Sequence, residues 1–79
     1  MKIQRHLKID TIKKIKEFVA IADEFTGEIQ IESGRYCIDG RSMMGIFTLN
    51  ILMPLRVTIE HDNFEEIEII DEKLREYYS

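Results

Sequence analysis

The apolar residues of this chain switch repeatedly between a spacing of two and a spacing of three to four. All of these switches fall within 79 residues. No repeat, low-complexity run or Pro/Gly/Ser-rich linker separates the segments, so each element must reach the next through a short turn and all must share one core. The expectation is one domain spanning residues 1–79.

Ile3, Leu7 and Ile9 occupy odd positions among polar residues, which predicts a half-buried strand near 2–8 that Arg5 interrupts. Ile12, Ile15, Phe18, Val19, Ala22 and Phe25 then recur at three and four. They predict an amphipathic helix capped by Asp10 or Thr11 and stopped by Thr26-Gly27. Ile29 and Ile31 alternate with polar neighbours, Ser33-Gly34 supplies a tight turn, and Arg35 to Asp39 return with Tyr36 and Ile38 on one face. Gly40 breaks that strand. Ser42 is a favoured N-cap for a short, largely apolar helix containing Met43, Met44, Ile46, Phe47 and Leu49.

After Pro54, Leu55, Val57 and Ile59 form the pattern of a fourth strand. Asp62 or Asn63 can cap a last helix carrying Phe64, Ile67, Ile70, Leu74 and one of Tyr77 or Tyr78 inward, with Asp71 and Arg75 spaced to pair. The order is βαββαβα. It predicts an α+β open-faced β-sandwich: a four-stranded antiparallel sheet with three helices on one face.

A net charge of −4 argues against a general nucleic-acid binder, which needs a surplus of Lys and Arg. The charge is uneven: the first 16 residues carry Lys2, Arg5, Lys8, Lys13, Lys14 and Lys16, whereas residues 60–76 are strongly acidic. A basic patch of this kind suits an acidic partner. Cys37 is the only cysteine and no Cys/His cluster has metal-site spacing, so neither a disulfide nor a metal is expected. No apolar run is long enough for a signal peptide or membrane span, and a cytoplasmic protein without cofactor is expected.

Gly40-Arg41-Ser42-Met43-Met44-Gly45-Ile46-Phe47-Thr48-Leu49 closely resembles the regulatory-serine segment of HPr phosphocarriers, and the spacing of the other elements matches that family over most of the chain. Family members carry Gly-(Leu or Ile)-His-Ala-Arg-Pro-Ala at the start of their first helix. There the histidine accepts phosphate from enzyme I and the arginine steadies it. Counting back from Ser42 without gaps places Thr11 at the histidine, Lys13 at the arginine and Lys14 at the proline. The resemblance therefore implies a member lacking the active-site histidine, comparable to Crh-type paralogues.

The chemistry follows from the residue types. Imidazole forms a P–N bond that is readily passed on, whereas a phosphothreonine ester is too stable to relay its group, and Thr11 has no sequence neighbour to activate it. His6 and His61 are the only other imidazoles, and each belongs in or beside a strand rather than at a helix start. Ser42 caps its helix for stability alone, and the resemblance adds regulatory phosphorylation.

A short helix buries only one stripe, so part of Met43, Met44 and Phe47 should remain accessible as an adaptable contact surface. The resemblance implies that this surface docks proteins of the phosphotransferase or carbon-regulation system, with Lys13, Lys14 and Lys16 as a basic rim. The reading is a non-enzymatic regulatory module, monomeric or weakly dimeric. The alternatives are a divergent carrier using His6 and a small-ligand or subunit-pairing domain.

Overall fold

The structure is a computed structural model that describes residues 1–79. Its elements are β1 (Lys2–Leu7), α1 (Ile12–Asp23), β2 (Glu28–Ser33), β3 (Tyr36–Asp39), α2 (Met43–Phe47), β4 (Leu55–Glu60) and α3 (Phe64–Leu74), with a single 3₁₀ turn at Arg75–Tyr77. The strands lie in the order β1-β4-β2-β3, every neighbouring pair antiparallel. The expected open-faced sandwich with three helices is what the chain forms.

The period-two pattern divides the sheet into two unlike faces. Leu7, Ile29, Ile31, Leu55, Val57 and Ile59 point under the helices and are buried. Against them pack Ile15, Phe18 and Ala22 of α1, Ile46 of α2 and Ile70 and Leu74 of α3, in one cluster that also holds Ile9, Phe25 and Leu49. Phe18 meets Tyr77 edge to face at 6.4 Å, a favoured aromatic geometry that fixes the chain end beneath α1. The β2–β3 hairpin turns on Gly34-Arg35, one residue later than the sequence suggests, because Ser33 already pairs with Tyr36 and Gly34 supplies the left-handed φ of 57°.

The other face is polar. Gln4 Nε2 donates to Thr58 Oγ1 at 3.3 Å, and the Thr58 hydroxyl donates to Glu32 Oε1 at 2.7 Å. Arg56 Nη2 donates to Glu32 Oε2 at 2.9 Å. Three strands are thus linked by side chains as well as by backbone.

Several expectations are corrected. Arg5 interrupts the β1 pattern because its guanidinium reaches over to Asp71 of α3, at 3.3 Å. Asp71 also accepts the Tyr78 hydroxyl at 2.6 Å, so it does not pair with Arg75, whose partner is Glu72 at 2.7 Å. Ile12 precedes the buried stripe of α1 and is 61% exposed, and Phe64, expected inward, is also exposed. The first helix ends at Asp23, so Phe25 reaches the core from the following loop. Tyr77 reaches the core through the 3₁₀ turn, after which the chain bridges to β1: Lys8 N–H donates to the Tyr77 carbonyl at 2.7 Å, and Leu7 pairs with Tyr78. The Tyr77 and Tyr78 hydroxyls are pushed well above the ordinary phenol range, first by burial and then by the neighbouring carboxylates.

The hydrogen bond from Thr58, and next that from Arg56, hold the Glu32 carboxyl below the ordinary carboxylate range. A depressed folded-state pKa gives stabilisation that is fully present above the unfolded value and is lost as pH falls through the folded one. Urea midpoints followed from neutral pH to about pH 3 should therefore drop less steeply for Glu32→Gln than for the parent chain. Parallel acid limbs would contradict the assignment.

Candidate functional site

Two helix starts face the same side of the sheet. Thr11 is the N-cap of α1, in extended conformation, and its Oγ1 accepts the Lys14 N–H at 3.1 Å. Ser42 is the N-cap of α2, and its Oγ accepts the Gly45 N–H at 3.0 Å. Of the paired alternatives weighed for the caps, Thr11 is used rather than Asp10, and Asn63 rather than Asp62. Asp10 instead accepts the Lys14 ammonium at 3.2 Å, and that hydrogen bond is the main reason its carboxyl lies below the ordinary range.

The remaining residues of interest divide clearly. Met44 is 78% and Phe47 49% exposed, while Met43 is half-buried against the core. Lys13 and Lys16 are exposed on α1. Lys14 is drawn back to Asp10, and the helical repeat places it in line with Glu17 and Ile21, the side of α1 that faces α3. Of the three lysines, Lys13 and Lys16 are thus the ones left fully exposed, while Lys14 is partly covered. His6 points to the polar face of the sheet, opposite Arg56 in the register and on the far side from α1. His61 lies beyond the other end of α1, where its ring meets Thr26 at 2.9 Å, one helix length of about 18 Å from Thr11.

The α2–β4 loop adds a surface that sequence reasoning missed. Ile51, Leu52, Met53 and Pro54 fold beside Lys8 and Asp10, leaving a cleft of about 310 Å³ next to the entry of α1, with Leu52 84% exposed. The available signal was an apolar run placed in a loop just before a proline, where burial in a strand is not required. Arg41, also passed over, sits immediately before Ser42. Its Nη2 donates to the carbonyls of Phe25, at 2.6 Å, and Gly27.

Comparison with known proteins now adds to this geometry. A family model described as "PTS HPr component phosphorylation site" matches residues 12–76. The chain belongs to the HPr family. Solved structures agree on the fold. Phosphocarrier protein HPr from Bacillus anthracis has a TM-score of 0.65 and 20% identity, covering 92% of this chain and 96% of that one. HPr-C-His from Thermoanaerobacter tengcongensis gives 0.70 and 21%, covering 95% and 91%. The histidine-containing phosphocarrier protein of Mycoplasma gives 0.69 and 17%, covering 96% and 93%. No curated protein matches the sequence. HPr proteins carry phosphoryl groups between proteins of the phosphotransferase system rather than catalysing a reaction of their own, and no helix of this chain is long and apolar enough to cross a membrane.

The Ser42 cap has a measurable share in stability. Ser42→Ala should cost roughly 1 kcal/mol in urea unfolding, whereas Ser42→Asn, which can still accept the Gly45 N–H, should stay close to the parent. Equal losses in both variants would remove the capping assignment.

Proposed function

We propose that this chain is a regulatory, protein-docking member of the HPr family that does not relay phosphate through histidine. The observation that carries the reading is the start of α1. The position matching the family's phosphohistidine is taken by Thr11, the N-cap of the helix, and a phosphate ester on a threonine hydroxyl is too stable to be passed on as a phosphoimidazole is. Lys13 stands where the family has arginine. Placement of His6 on the opposite sheet face and of His61 beyond the far end of α1 supports the same conclusion.

Ser42 is the residue proposed to be modified. A kinase would transfer the γ-phosphoryl group of ATP to Ser42 Oγ, forming an ester P–O bond, releasing ADP and giving up the hydroxyl proton. The added negative charge at a helix start is compatible with α2 and changes the surface beside Met44 and Phe47 without requiring unfolding. Partners are proteins of the phosphotransferase or carbon-regulation system, contacted through Met43, Met44 and Phe47 with Lys13, Lys14 and Lys16 at the margin. The chain acts in the cytoplasm as a single domain over residues 1–79, a monomer or weak homodimer with no cofactor.

Incubation with enzyme I and phosphoenolpyruvate should leave the chain without acid-labile phosphate; finding such phosphate overturns the central claim. Incubation with HPr kinase and ATP should add one phosphate, mapped to Ser42 by mass spectrometry, and an unmodified Ser42 removes the regulatory part.

The docking surface is tested by titrating the kinase with Phe47→Ala. Loss of a central aromatic contact should weaken binding about tenfold or more. Unchanged affinity places the contact elsewhere.

A further inference from the structure

Arg41 is held by groups from two parts of the fold. Its Nη2 donates to the carbonyls of Phe25 and Gly27 in the loop that follows α1. Its Nη1 lies 3.6 Å from Asp39 Oδ1, the same oxygen that accepts the Arg41 backbone N–H at 2.8 Å. The residue after it is Ser42. One guanidinium therefore ties the loop at the end of α1 to the segment that starts α2.

The loop is itself anchored on its other side. A side chain at Gly27 would place Cβ only 2.2 Å from the Glu60 carbonyl oxygen, so the loop lies directly against the end of β4. The Asn63 N–H donates to His61 Nδ1 at 2.8 Å, which makes Nδ1 the acceptor and puts the ring proton on Nε2, from where it donates to Thr26 Oγ1 at 2.9 Å. Asn63 is in turn the N-cap of α3. Contacts run without a gap from the Arg41-Ser42 pair through Phe25, Thr26 and Gly27 to His61 and Asn63. Beside them Thr26, Gly27, Glu28, Glu60, His61 and Asp62 line a polar cleft of about 390 Å³.

We propose that Arg41 is a positioning residue that couples the phosphorylation state of Ser42 to the loop after α1 and to this cleft; the proposal rests on Ser42 being the modified residue. Phosphate at Ser42 places nearly two negative charges next to Arg41 and close to the Asp39 carboxylate. Hydrogen bonds from a guanidinium to a phosphate are stronger than those to neutral carbonyls and match its forked geometry. Re-pairing of Arg41 with the phosphate also relieves the repulsion between phosphate and Asp39. The carbonyls of Phe25 and Gly27 lose their donor, and the loop relaxes against Glu60 and His61. A second surface, apart from the α2 docking side chains, then reports the state of Ser42.

The test uses the full chain with phosphoserine incorporated at position 42 during synthesis, so that no kinase is needed. Amide resonances of Thr26 and Gly27 and the ring nitrogens of His61 are compared with and without the phosphate. They should move in the parent, stay in place in Arg41→Gln, and move less in Arg41→Lys, whose ammonium lacks the fork that holds two carbonyls. The methyl resonances of Ile31, Val57 and Ile59 verify that each variant is folded, and Arg41→Lys preserves the positive charge if Arg41→Gln does not fold.

Loop resonances that ignore the phosphate, or that move equally in the parent and in Arg41→Gln, overturn the coupling. Movement with phosphoserine present, combined with failure of HPr kinase to modify Ser42, supports the coupling while defeating the modification reading.

Discussion

Strand β4 is the constraint on which the other elements depend. It lies between β1 and β2, pairing Lys2 to Leu7 on one side and Glu28 to Glu32 on the other. Until it is in place, β1 has no neighbour and the β2–β3 hairpin is a two-stranded piece of the kind that is marginal in water. Its inward residues Leu55, Val57 and Ile59 are almost wholly buried at the centre of the sheet, so each contributes apolar contact to both flanking strands and to the helices above. Outward Thr58, also buried, passes a hydrogen bond from β1 to β2 through Gln4 and Glu32. Pairing between β1 and β4 closes a loop of about fifty residues, a non-local contact whose entropy must be repaid by this dense burial.

The same arrangement explains why helix starts, rather than a pocket, form the candidate site. With β4 central, α1 and α2 cover the inner face, and the α2–β4 loop is brought back beside the β1–α1 connection. Ser42 and Thr11 are then both fixed as N-caps by local backbone geometry, while α2, at five residues, is too short to hold itself by its own hydrogen bonds. Its position comes from buried Ile46, from Ile38 of β3 and from the Arg41 attachment to the loop after α1. The exposed side chains Met44 and Phe47 are thus carried on a helix that depends on the segment before it for its place.

Much of this was legible in the sequence because local rules and the global fold agree. Thr11 and Ser42 are good caps before amphipathic segments, and both serve as caps. Met44 and Phe47 exceed what one helical stripe can bury, and both are exposed. The failures share a cause: they are long-range partnerships that spacing along the chain does not encode. Asp71 is four residues from Arg75 but accepts instead from Arg5 and Tyr78, which arrive from β1 and from the chain end. Lys14 was grouped with Lys13 and Lys16 by sequence, yet it turns to Asp10. The importance of Arg41 was invisible because its acceptors are backbone carbonyls, and every residue has one.

The start of α1 is intelligible at the level of the helix end. A side-chain oxygen that accepts the N3 amide satisfies one of the orphan donors of the first turn, and Thr11 does this. Lys13 and Lys14 fit the same view: lysine favours helix propagation, and Lys14 supplies the N–H that Thr11 accepts, which a proline at that position would lack. The start of α1 is therefore suited to holding its shape, while the short α2 beside it leaves Met44 and Phe47 exposed to solvent.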